Sequence, residues 1–121
     1  MKDQIERATW PEYFKEFSQR NQGRPTQLEI LGDLGAQREQ QHLPLAGISV
    51  EDKGKDAPRI EIMLGGDGGG APHLTHTVTR VTAVLQKLDN AGREEAIEIE
   101  DGGGTKTILI FEAVAELKAA S

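Results

Sequence analysis

Two histidines three positions apart, His73 and His76, are the residues of this chain best suited to metal or acid–base chemistry. On a helix that spacing would put both imidazoles on one face, where they could hold an ion with a third ligand from His42 or a glutamate. The surrounding run His73-Leu74-Thr75-His76-Thr77-Val78-Thr79 reads instead as a threonine-rich strand. On a strand an odd separation sends the side chains to opposite faces. His76 is therefore expected with Leu74 and Val78 toward the core, and His73 with the threonines. The pair would converge only if His73 belonged to the preceding loop. Both stay binding candidates, with a structural role as the expectation, and no metal ligand is assigned.

The remaining chemistry-bearing residues give bland readings. Glu94, Glu95, Glu98, Glu100 and Asp101 form the densest acidic stretch. Glu98 and Glu100 share a strand face and could make a paired-carboxylate or calcium site; a solvated outer face that guards against aggregation is the expectation. The run Gly102-Gly103-Gly104-Thr105-Lys106-Thr107 lacks the spacing of a nucleotide loop and lies between two strands instead of a strand and a helix. The run Gly65 to Gly70 fails in the same way, so both read as turns. No serine sits in a Gly-x-Ser-x-Gly turn. Trp10, if exposed, would mark a partner-binding spot; with Phe14 and Phe17 on its face it is expected in the core.

The elements that would carry these residues follow from periodicity. Thr9 and Glu12 have capping-box spacing, and Pro11 suits a first helical turn. Trp10, Phe14 and Phe17 then recur on one face, with Tyr13 alongside, and Gly23 ends the segment: a helix over 9–21. Leu28 and Ile30 mark a strand. Residues 36–42 are an exposed strand or a loop. Residues 43–50 are apolar, with a bulge expected near Gly47 and with Pro44 at a sheet edge or strand start. Ile60, Ile62 and Leu64 alternate, as do Ile97 and Ile99. The segment 81–88 fits helix or strand, and its β-branched residues favour strand. Ile108-Leu109-Ile110-Phe111 does not alternate, which predicts a central strand covered on both faces. The resulting fold class is α+β, mainly β. An N-terminal helix packs on an antiparallel, strongly twisted or barrel-like sheet of about six strands. Residues 1–8 form a flexible lead, 9–114 one globular domain, and 115–121 a short helix or tail.

Composition narrows the function classes. The chain has 121 residues, 20 acidic against 14 basic, for a net charge of −6. That balance argues against nucleic acid and against an anionic membrane surface as partners. No run approaches the roughly 18 apolar residues of a membrane span. No cysteine is present, which excludes disulfides, thiolate metal sites and a cysteine nucleophile. A cytoplasmic location is the expectation.

Several pieces, taken in order, resemble a family of small bacterial proteins of unknown function, DUF5335. They are Trp10-Pro-Glu-Tyr-Phe with Phe17-Ser18; Leu28-Glu29-Ile30-Leu31-Gly32 with Gly35-Ala36-Gln37; Leu43-Pro44-Leu45 with Gly47-Ile48; His73-Leu74-Thr75-His76; and Ala96-Ile97-Glu98-Ile99-Glu100 with Gly102 and Leu109-Ile110-Phe111. The likeness covers roughly residues 9–111. It implies a bacterial origin and one compact domain, and it brings no catalytic residue. The functional expectation is a non-enzymatic module that binds a protein or a small ligand, with no cofactor. The alternative is a metal-binding protein or metal-dependent enzyme using the His73/His76 region. A homodimer through a sheet edge is a third option.

Overall fold

The computed structural model describes residues 2–32, 35–66 and 73–112. A short strand, β1 (Lys2–Gln4), and a 3-10 turn at Arg7–Thr9 lead into helix α1 (Trp10–Asn21). Seven strands follow: β2 (Pro25–Gly32), β3 (Gly35–Glu51), β4 (Arg59–Gly65), β5 (His73–Val78), β6 (Val81–Leu88), β7 (Glu94–Asp101) and β8 (Lys106–Phe111). All pairings are antiparallel, in the order β1-β6-β7-β8-β2-β3-β4-β5.

The aromatic stripe organises the core. Trp10, Phe14 and Phe17 are at most 1% exposed and pack with Leu28, Leu45, Ile60, Ile62, Val84, Ile97, Ile99 and Leu109 in a single cluster. Phe14 and Phe17 meet edge to face at 5.9 Å, and Phe17 reaches Phe111 on β8 at 5.7 Å. Polar contacts hold the helix at both sides of its groove. Tyr13 Oη donates to Gln86 Oε1 on β6 at 2.9 Å. Ser18 Oγ accepts from the Ile48 amide at 2.9 Å and donates to the Ile48 carbonyl at 3.2 Å, on β3. Between β6 and β3 the order places β7, β8 and β2, so one narrow helix can touch both only because the sheet curls around it.

The expected helix is present, with one local difference. The Thr9 hydroxyl does not cap it; Oγ1 donates backward to the Glu6 carbonyl at 2.7 Å. At the other end Gly23 takes φ +88°, a left-handed conformation open to glycine, and its amide reaches the Leu45 carbonyl at 2.8 Å.

The sheet departs from the expectation in number and closure. Among the described residues it has eight strands, not about six, and it is open, not a closed barrel. One added strand is β1. Residues read as a flexible lead pair with Leu85–Lys87, an association made by backbone hydrogen bonds that a three-residue polar segment does not advertise. Segments 36–42 and 43–50 belong to one long strand, β3, which pairs with β2 through Pro44 and with β4 from Leu45 onward. Pro25 and Pro44 face each other at that handover. Pro44 thus lies inside a strand, where the ladder changes partner and its missing N–H costs nothing. The register shift sits between Leu45 and Gly47, as the parity switch predicts. Segment 81–88 is strand β6. The glycine-rich residues 67–72 and the expected C-terminal helix or tail lie outside the described residues.

Replacing Phe14 by alanine should cost about 3–5 kcal/mol of unfolding free energy, read by urea denaturation. Lys15→Ala, on the exposed side of the same helix, should stay within about 0.5 kcal/mol.

Candidate functional site

The structure separates the two histidines. On β5, His76 lies opposite Ile62, Leu74 opposite Leu64 and Val78 opposite Ile60, all on the core-facing side. His73 stands on the other face with Thr75 and Thr77 and is exposed. Its ring lies against Gly66, which has φ +70°; a Cβ there would overlap the imidazole. His42 lies on β3, in the stretch of that strand that pairs with β2, and β4 stands between β3 and β5 in the sheet order. Among the described residues, no group of three or more metal-ligating side chains gathers. Trp10 is 1% exposed, and its indole N–H donates to the Ile5 carbonyl at 2.9 Å, leaving no surface for a partner to touch. The Asp101–Gly104 turn is closed on itself: Asp101 Oδ1 accepts from the Gly103 and Thr105 amides at 2.9 and 3.0 Å. Those are the donors a phosphate would need.

The acidic stretch divides between two environments. Glu94 anchors the helix end: Arg20 Nη2 donates to its Oε2 at 2.7 Å and Asn21 Nδ2 to its Oε1 at 3.2 Å. Arg24 bridges Asn21 Oδ1 at 2.9 Å and the Glu94 carbonyl at 3.0 Å, with its guanidinium 4.3 Å from the centre of the Phe111 ring. Burial pushes the Glu94 carboxyl up, but the hydrogen bonds from Arg20 and Asn21 outweigh it and hold its pKa below the ordinary value. Tyr13, half-buried near Glu94, has its phenol pushed far above the ordinary range, by burial first and by the Glu94 charge second.

Glu98 and Glu100 point the other way, onto the convex face. Register sets out that face in rows across the strands. Lys87, Ala96 and Ile110 form one row, Leu85, Glu98 and Ile108 the next, and Ala83, Glu100 and Lys106 a third. No described helix covers it. Leu85, Ala96, Ile108 and Ile110 are half-buried and line a groove of about 260 Å³ with Lys2, Lys87, Glu95 and Glu98. This overturns the expectation that β8 is covered on both faces: Thr107, Leu109 and Phe111 are buried, whereas Ile108 and Ile110 form the groove floor. The absent alternation was the signal; it marked two aliphatic side chains on the outside.

Charge around this floor is matched pairwise. Lys2 and Lys87 lie directly across from each other on β1 and β6, which alone would repel. Each turns to a glutamate instead: Lys2 Nζ to Glu98 at 3.0 Å and Lys87 Nζ to Glu95 at 2.9 Å. The Glu98 and Glu100 carboxyls are neighbours on this face, and a proton on Glu100 can be shared with Glu98. Glu98 is held below the ordinary glutamate value: burial raises it, and the bonds from Glu100 and Lys2 lower it further than that. Glu100 is pushed up, first by its hydrogen bond to Glu98 and then by burial, with Lys106 acting against the rise. The arrangement can therefore offer an apolar floor with both signs of charge at its rim.

The model of the DUF5335 family, a family of unknown function, matches residues 1–120. The chain belongs to DUF5335. No curated protein and no solved structure was found to match it. Among the described residues of this DUF5335 member, no helix is long and apolar enough to cross a membrane.

Two electrostatic outcomes follow for this DUF5335 protein. Glu94→Ala should cost about 2 kcal/mol near neutral pH. Because Glu94's folded pKa lies below its unfolded one, this contribution is whole above the ordinary glutamate range and fades as pH falls through the folded value. Urea midpoints of the parent and Glu94→Ala should therefore converge in acid. Glu100 has the opposite sign: its raised pKa costs stability once pH rises above it. Glu100→Gln should raise the unfolding free energy slightly at pH 7, by less than about 1 kcal/mol, read by urea denaturation, with the gain gone in acid.

Proposed function

We propose that this DUF5335 protein is a non-enzymatic, cytoplasmic, bacterial binding module that takes a small molecule with an apolar body and a charged end. The observation that carries this is the groove on the convex face of β6, β7 and β8, floored by Leu85, Ala96, Ile108 and Ile110 and left open by the described residues. Aliphatic side chains standing half-exposed together on a folded sheet lower their free energy when something covers them, at roughly 25 cal/mol per Å² of apolar area removed from water. The groove is small for a drug-sized ligand and suits a short aliphatic chain.

Its rim favours a ligand with a single charge. Glu98 is nearly buried and Glu95 half-buried, each already holding a lysine. An ammonium arriving in place of Lys2, or a carboxylate drawing Lys2 or Lys87 away, would exchange one ion pair for another at little electrostatic cost. The non-enzymatic reading is supported by the same inventory: matched lysine–glutamate pairs over aliphatic carbon, with no nucleophile seated against a base among the described groove residues. The lack of cysteine supports the cytoplasmic assignment, and the family resemblance supports the bacterial one. Nucleic acid is disfavoured by the net charge of −6 and by the pairing of the groove's lysines.

Titration with hexylamine and hexanoate, followed by amide chemical shifts, tests this. Shifts should concentrate on the groove stretches of β6, β7 and β8, and Ile108→Lys, whose ammonium would stand between Glu98 and Glu29 on the neighbouring strands, should weaken binding about tenfold or more while leaving the thermal midpoint near that of the parent. Shifts that are absent, or that map to another surface, would contradict the site. Turnover of substrates in a broad hydrolase panel, abolished by a single histidine substitution, would contradict the non-enzymatic reading.

A further inference from the structure

The two ends of the open sheet are built differently. At one end, β1 offers three residues, and Lys2 and Asp3 put charge on it. Short length and charge are the usual means by which an edge avoids pairing with another chain. At the other end, β5 runs for six residues, His73-Leu74-Thr75-His76-Thr77-Val78. It has no aspartate, glutamate, lysine, arginine, proline or glycine. It pairs with β4 along its whole length without a register shift, so no bulge twists it away. Among the described residues β5 has no strand on its second side. On the open side of such an edge strand, alternate residues turn an N–H and a C=O outward. Each device that guards β1 is missing from β5, and Thr75, Thr77 and Val78 supply the β-branched side chains that favour added strands.

We propose that two copies of this chain pair through β5 into a two-fold dimer whose sheet continues across both protomers. A second copy fits better than a head-to-tail chain. Pairing β5 with β1 of the next molecule would set six positions against three and bring Lys2 and Asp3 onto an uncharged strand. Antiparallel pairing about a two-fold axis normal to the sheet keeps outer residues opposite outer residues. Centred on Thr75, it sets Thr75 against the partner's Thr75 and Thr77 against the partner's His73. On the inner side it sets Leu74 against the partner's His76. Threonine pairs across strands are favourable. The neighbouring register, centred on His76, would oppose two imidazoles and is the poorer one. Five paired residues fall short of a standard interface, so the dimer is weak and forms at micromolar or higher concentration.

Sedimentation equilibrium from micromolar to near-millimolar protein provides the test, with the double variant Thr75→Lys/Thr77→Lys as control. Both threonines are exposed, so the variant should keep the parent's circular dichroism and thermal midpoint. The parent's average mass should climb toward twice the monomer as concentration rises, and the variant should dissociate at least about tenfold more readily. A parent that stays monomeric throughout would overturn the proposal. So would a dimer of unchanged affinity in the folded variant, which would put the interface elsewhere.

Discussion

One helix has to bury three large aromatic rings, and the sheet is shaped by that requirement. Trp10, Phe14 and Phe17 cannot be covered by a flat sheet, which would touch only one side of the helix. The curl between β6 and β3 surrounds them, fixed at one rim by Tyr13 on Gln86 and at the other by Ser18 on Ile48. Helix α1 is spent on the concave side. Nothing among the described residues is left to cover the convex side of β6, β7 and β8, and this is why aliphatic carbon remains accessible there. Core and groove are thus two faces of the same strands: Ile97 and Ile99 look inward and Glu98 outward between them.

Electrostatics keeps the two faces distinct. On the concave side Glu94 is tied to Arg20 and Asn21 and sets the helix end against β7. On the convex side Glu98 and Glu95 each hold a lysine, which leaves the groove close to neutral although the chain is acidic. Glu94 is bonded by two residues of α1, whose position the aromatic core fixes, and so it stabilises position; Glu98 is bonded by Lys2 on a three-residue edge strand and can exchange that partner. The difference is one of what holds the counter-charge, not of the glutamates themselves.

Much of this was legible in the residues, for identifiable reasons. The helix showed itself through aromatic spacing, the β7–β8 hairpin through alternation around Asp101-Gly-Gly-Gly, and the divergence of His73 and His76 through strand parity. The bulge at Gly47 followed from the change of parity between Leu45 and Ile48. Three features were not legible. β1 is stabilised by backbone pairing with a strand some eighty residues away, which leaves no mark on three polar side chains. The length of β3 was hidden by Pro44, whose place at a change of partner is a tertiary fact. The groove was misread because Ile108 and Ile110 look like residues of a doubly covered strand. Sequence shows that they are apolar; only the placement of the other elements shows that no described one covers the outer side.

The account turns on whether the convex face of β8 is open in solution. Methyl-resolved NMR of the isoleucines, with a soluble gadolinium chelate as relaxation agent, measures this directly. If the account holds, the δ1 methyls of Ile108 and Ile110 relax strongly while those of Ile97 and Ile99 on the neighbouring strand are spared. Equal protection of all four would mean that something covers the outer face, and the groove would then not be a binding site.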